Sequence, residues 1–289
     1  MATSPTPDQL LVIIDPAARR TDGESVRIAK DVLSAGAAST KVCLPEGPEE
    51  FARVLARRGS RRPVVIGDDR ALLRAVGLLH RQRTMAECVL SVVPVGAALG
   101  VAHALGVPTG AVAAARAVLD GAERRLDVLV DDSDGVVLGA LRIPPVPLAP
   151  QPEPAVAEAG LTDGGRPWLR TYHSLFRTWV PPRPSRLSPA DVPPGPARLR
   201  IEVDGVTLVD LDQPVEAVSV TPGPSGTAVV EVRPLSLGAV AAPLEARGRT
   251  VTVSGADFRY RADAMVAGPV RRRTWTVREG ALGLMLPGR

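Results

Sequence analysis

Acidic residues and glycines at the ends of apolar runs are the groups in this chain best placed to do chemistry. Asp15 stands before Pro16 after the run at 10–14, Gly67, Asp68 and Asp69 follow the run at 63–66, and Gly96 and Ala97 follow Pro94 after the run at 89–93. Asp263, with Ala264 and Met265 behind it, lies near the C-terminal end. Each has an ordinary structural use, since an aspartate beside a helix start is a common N-cap and a glycine after a proline is a common turn. Other chemistries find little support. His80, His103 and His173 lack the partner spacing of a metal site or an activated nucleophile, and there is no Gly-x-Ser-x-Gly elbow, Walker loop or Cys-x-x-Cys pair. Cys43 and Cys88 sit in apolar, strand-like runs and read as buried free thiols.

The elements that must position those residues alternate. The run at 10–14 is wholly apolar, as a strand covered on both faces of a parallel sheet must be, and further strands are expected at 40–44, 63–66 and 89–93. Helices are expected at 24–35, 49–58, 69–79 and 110–119, with a short one after the turn at Gly96, Asp68 opening the third and Gly36 and Gly121 acting as stop signals. Ligands of such sheets bind at the carboxyl ends of the strands, where the acidic residues and glycines stand. From 128 onward the pattern changes to period two, with short runs at 128–130, 136–141, 199–203, 206–209, 215–220, 228–232, 250–253, 258–261 and 274–277. Asp204-Gly205 between two of them suits a type I′ hairpin turn. The fold class expected is therefore α/β plus β, a parallel α/β domain at 10–127 behind a tail at 1–9, and an antiparallel, β-sandwich-like domain at 128–289. A proline-rich insertion at 144–197 interrupts the second domain. Inside it Trp168, Leu169, Tyr172, Leu175, Phe176 and Trp179 fall on one face at helical spacing, which suits a docked helix, or a lid or membrane-facing helix.

Composition bounds the function. With 289 residues, 45% hydrophobic and 23% charged, the chain has material for one or two cores, filled mainly by aliphatic side chains because aromatics are only 3%. No stretch approaches the roughly 20 apolar residues that cross a bilayer, and the start of the chain is polar, so a cytoplasmic location is the default, with attachment at a membrane surface as a variant of it. The net charge of +4 comes from arginines scattered in small groups without interleaved aromatics, which argues against a nucleic-acid track.

The turn at Pro94-Val95-Gly96, followed by Ala97, Ala98, Leu99 and Gly100, resembles the Pro-x-Gly-Thr-x-Asn-Asp turn of the diacylglycerol kinase catalytic-domain family. The same family, within the NAD kinase and diacylglycerol kinase superfamily, has a Gly-Gly-Asp-Gly-Thr turn after its third strand, matched here by Ile66, Gly67, Asp68, Asp69 and Arg70. It has an Asn-Pro pair after its first strand, where Asp15-Pro16 stands. Its Asp-Gly-Glu, whose glutamate acts as base toward the lipid hydroxyl, is matched by Asp263, Ala264 and Met265. Its acidic, metal-linked Asp-Asp-Gly turn is matched by Pro224, Ser225 and Gly226.

The resemblance implies phosphoryl transfer from ATP to a lipid hydroxyl with magnesium, with Asp68 and Asp263 as catalytic candidates and Asp15, Gly67, Asp68, Gly96 and Ala97 at the nucleotide. The replacements imply impairment. Glycines in such a turn let backbone N–H groups close on phosphate, and the following helix adds a positive dipole end; Asp69 brings a side chain and a negative charge to that place. The thioether of Met265 accepts no proton, which removes a contribution of about two to four orders of magnitude. The alternative is a non-catalytic module on the same fold that binds a lipid or a protein.

Overall fold

The computed structural model describes residues 9–145, 196–235 and 242–288, which belong to one compact unit. In the first part β1 (Gln9–Ile14), β2 (Ser39–Cys43), β3 (Arg62–Gly67) and β4 (Val89–Pro94) form a parallel sheet in the order β2-β1-β3-β4. The continuous apolar character of β1 has a plain cause. Leu10, Val12 and Ile14 face one way onto Val26, Ala29 and Leu33 of α2 (Gly23–Gly36) and Ala114 and Val118 of α6 (Ala111–Asp120), while Leu11 and Ile13 face the other way. There they meet Phe51 and Leu55 of α3 (Pro48–Ala56) and Leu72, Val76 and Leu79 of α4 (Asp69–Arg81). Alternation of side chains along a strand thus loads both faces of the sheet. Two short helices, α1 (Pro16–Thr21) and α5 (Gly100–Ala104), sit at strand exits.

The rest is antiparallel. β5 (Ala122–Asp131) is followed by β6 (Val136–Val137), β7 (Leu141–Ile143), β8 (Ala197–Val203), β9 (Val206–Val209), β10 (Pro214–Pro222), β11 (Ala228–Pro234), β12 (Leu244–Gly248), β13 (Thr250–Ala262) and β14 (Met265–Leu286). β14 is the seam of the molecule: it pairs with β13 and β5 antiparallel, and at Gly283 and Leu284 it pairs parallel with Val89 and Leu90 of β4. One hydrogen-bonded path of strands therefore joins the parallel and antiparallel parts, and Leu282, Leu284 and Leu286 belong to the same core as α4. The other face of the antiparallel part closes over Leu129, Ile201, Val220, Val230, Tyr260 and Trp275.

The boundary drawn at 127/128 from the change of period falls inside β5, which pairs with β14 from Ala122 to Asp131 with one irregularity. Its polar start, Ala122-Glu123-Arg124-Arg125, hides the strand from a hydrophobicity reading. The runs at 250–253 and 258–261 are one strand, β13, and the run at 274–277 is the middle of β14, which is 22 residues long. α1 and β12 are additional to the expected elements.

β7 and β8 occupy one lane. Ile143 pairs with Val218 of β10 and Ala197 with Val215, while on the other side Leu141 and Arg142 pair with the end of β13 and Leu199 to Val203 with its start. The insertion thus leaves and re-enters one strand position, three residues apart along β10, or about 10 Å. The helix expected at 168–179 lies outside the described residues. Asp204 and Gly205 have φ of 50° and 81°, as a type I′ turn requires. Among the described residues no helix is long and apolar enough to cross a membrane.

Candidate functional site

Three strand exits meet at the carboxyl edge of the parallel sheet. The Asp15 N–H donates to Ile66 O at 2.9 Å and the Val95 N–H to Gly67 O at 3.0 Å, so the ladder continues past the last residues of β1 and β4. Gly67 and Gly96 are required by this crowding. A Cβ on Gly67 would lie 2.6 Å from the Ala71 Cβ and 3.0 Å from the Asp15 Cβ, and one on Gly96, whose φ is 132°, would lie 3.1 Å from the Asp68 Cβ. Ala97 is exposed and offers the turn only a methyl group.

The carboxylates at this edge are engaged with the chain itself. Asp15 caps α1 through the Ala17 N–H at 2.8 Å and holds Arg74 Nη1 at 2.7 Å; that guanidinium in turn lies over the Phe51 ring, 5.6 Å from its centre. Asp68 caps α4 by accepting from the Arg70 and Ala71 N–H groups, both at 3.1 Å. Asp69 corrects the reading that placed its charge in the glycine turn. Its side chain turns inward, to 2% exposure, and accepts from the Val101 N–H at 2.9 Å and the Ala102 N–H at 3.0 Å, while its own N–H donates to Ala98 O at 2.8 Å. The first turn of α5 leaves those N–H groups without intrahelical partners, and a carboxylate one sheet position away satisfies them. Burial raises the Asp69 pKa, opposed by these N–H bonds.

Asp263 sits in the turn between β13 and β14 with φ of 52°. Its carboxylate points away from solvent and accepts from the N–H groups of Leu138 (2.7 Å), Gly139 (2.7 Å) and Ala140 (2.9 Å), and its own N–H donates to Ala140 O. Burial raises its pKa most strongly; the three N–H bonds oppose, and the Asp69 carboxylate adds a smaller upward push. Met265, two residues on, is half exposed. At the remaining turn, Asp127 bridges the Gly226 N–H and the Gly280 N–H, both at 2.7 Å, so the one carboxylate bonded to that turn pins it to a bulge in β14. Among the described residues no three His, Cys, Asp or Glu side chains converge to hold a metal ion.

Beside these turns lies a cleft of about 920 Å³ between α4 and the β13–β14 hairpin, with the β5–β6 turn at one end. One wall carries Arg70, Arg74, Gly77 and Arg81, and the other carries Arg261 and Met265. The acids of the β5–β6 turn are themselves occupied. Asp131 Oδ1 accepts from Ser133 N, Ser133 Oγ and Gly135 N, and its Oδ2 lies 3.4 Å from the Tyr260 hydroxyl, while Asp134 meets His80 Nε2 at 3.4 Å. Tyr260 packs edge-on against Trp275, and burial, followed by the Asp131 charge, raises its pKa. Reading the sequence by motif missed this arginine wall as a unit. Its signal is the helical spacing of 70, 74, 77 and 81, all on one side of α4.

The fold is that of diacylglycerol kinases. Over 96% of this chain and 97% of the other, the structure aligns with that of a diacylglycerol kinase from Bacillus anthracis str. Sterne at a TM-score of 0.65 and 12% identity. Two further structures from the same organism, provisionally designated diacylglycerol kinases, align over the same shares at a TM-score of 0.67 and 12% identity. No family model and no curated protein matches the sequence. The relationship is distant, and it is the architecture that is shared.

Proposed function

We propose that this chain is a lipid kinase-like protein in which phosphoryl transfer from ATP to a lipid hydroxyl is lost or strongly impaired, and that it works as a binding module through the cleft along α4. The observation that carries this reading is Asp69. The N–H groups that open α5, behind the turn at Gly96, are held by this internal carboxylate and do not stand free toward the strand exits. A nucleotide phosphate would have to displace a buried negative charge from its two donors.

Three further observations support it. Of the carboxylates in the best positions to hold magnesium or orient a water, Asp263 has both oxygens bonded to backbone N–H groups of residues 138–140, and Asp68 has one oxygen bonded to those of α4. The position that the resemblance matches to the base carries Met265. The turn at 224–226 has no acidic side chain of its own, and Asp127 beside it is bonded to two backbone donors. Magnesium-bound ATP needs several oxygen donors turned toward the phosphates, and these residues do not fit it.

The test is transfer of labelled γ-phosphate from magnesium-ATP to diacylglycerol in mixed micelles. No transfer above a protein-free control is expected. Robust transfer that disappears in Asp68→Ala would establish an active kinase and overturn the proposal.

A further inference from the structure

The arginine wall of α4 is only partly paired with carboxylates among the described residues. Arg74 is bound to Asp15, but Arg70 and Arg81 are exposed, and among the described residues neither guanidinium has a carboxylate partner. The acids Asp131 and Asp134 belong to the β5–β6 turn, where Asp131 accepts from Ser133 and Gly135 and Asp134 lies beside His80, and neither is bonded to Arg70 or Arg81. Gly77 widens the floor: a Cβ there would meet only Arg81 Nη1, at 3.5 Å, so the space in front of the helix is open. A glycine in a helix interior is unfavourable relative to alanine, and here it keeps the cleft clear.

Spacing decides what such a wall recognises. Arg70 and Arg81 are eleven residues apart, three turns along one face, or about 16 Å at the rise of an α-helix. Side chains on a helix lean toward its N-terminus, and Arg81 does so in lying back over Gly77. Two charges based that far apart on one helix face suit a ligand with more than one anionic group. Among the described residues the walls also offer no aromatic face for a base to stack on, because Tyr260 is 3% exposed with its ring against Trp275. We propose that the cleft binds an elongated, non-aromatic ligand carrying two or more phosphate groups, with one end at Arg70, near the strand exits, and the other at Arg81. The proposal rests on the reading above, in that the ligand is held and not turned over.

Free polyphosphate and a lipid headgroup with two phosphates share this chemistry, and the experiment separates them. The full chain, in EDTA and without nucleotide, is titrated with inorganic phosphate, with inorganic tripolyphosphate, and with zwitterionic vesicles lacking or containing a lipid that bears two phosphates. Tripolyphosphate should bind at least tenfold more tightly than phosphate. Arg70→Ala and Arg81→Ala should each weaken it about tenfold, as loss of a charge-assisted contact does. Arg116→Ala, an exposed arginine on α6, should leave affinity unchanged, and unaltered melting of all three variants shows that the fold is kept. Vesicle binding that needs the two-phosphate lipid and both arginines assigns the lipid source; tripolyphosphate binding without it assigns the free one. Equal affinity for phosphate and tripolyphosphate, wild-type binding by both cleft variants, or an equal loss in Arg116→Ala overturns the proposal. Because metal and nucleotide are absent, failure here leaves the transfer assay unaffected, and the two readings fail separately.

Discussion

Replacing Asp69 by glycine removes the internal anion and leaves the N–H groups of Val101 and Ala102 without their partner. Those two bonds, at 2.9 and 3.0 Å, are charge-assisted, and such bonds contribute about 1.5–3 kcal/mol each, or about 3–6 kcal/mol together. Burial of the carboxylate opposes this, as its raised pKa records, so the low end, about 3 kcal/mol, is the expected loss. For a domain of this size each kcal/mol moves Tm by about 2–4 °C, which places the variant about 6–12 °C below the wild type in a thermal melt. The vacated position is lined by backbone donors and should accept a small anion of the same shape. Formate at ten times its dissociation constant should return about 1.4 kcal/mol to Asp69→Gly and nothing comparable to the wild type. An unchanged melting point refutes the reasoning, and so does formate raising both proteins equally with a chloride control showing the same rise.

Asp263→Ala should cost at least about 3 kcal/mol in urea unfolding, because three backbone donors at 138–140 lose their acceptor and each buried orphan costs about 1–3 kcal/mol; a loss below 1 kcal/mol would show that the pin is dispensable. Two glycines should respond in opposite directions in the same assay. Gly67→Ala forces a Cβ to 2.6 Å from Ala71 and should destabilise by about 1–3 kcal/mol, whereas Gly77→Ala has room and should stabilise α4 by about 0.5–1 kcal/mol. Stability should also fall as pH rises from the ordinary aspartate value of 3.8 through the raised values of Asp69 and Asp263. In that window the folded chain holds protons that the unfolded chain has released, so ionisation works against the fold. Asp69→Asn and Asp263→Asn should each flatten the slope, and an unchanged slope in both would assign it to other groups.

Much of the parallel half was legible because its signals are local. The apolar runs of β1, β3 and β4, the cap at Asp68 and the stop at Gly121 each lie within a few residues of what they control. α1 was hidden by its length of six residues, too short for a periodic stripe. β14 was hidden for the opposite reason: Gly268, Pro269, three consecutive arginines and Gly280 interrupt its alternation, and only pairing with β13, β5 and β4 makes it one strand. The candidate site divided along the same line. That Gly67 and Asp68 form a turn before a helix follows from neighbouring residues, but the direction of the Asp69 side chain depends on α5, some thirty residues later, and on the orphan N–H groups at its start. The arginine wall needed both helical spacing and an opposing hairpin, and only the first is written in the sequence.

Met265→Glu provides the most direct test of the proposal that phosphoryl transfer is blocked by more than the lack of a base. It places a carboxylate at the half-exposed position proposed to lack the base and leaves Asp69 on its donors. Assayed for transfer of labelled phosphate from magnesium-ATP to diacylglycerol, the variant should remain at background. Measurable transfer by this single variant would contradict the account, because only the base would then have been lost.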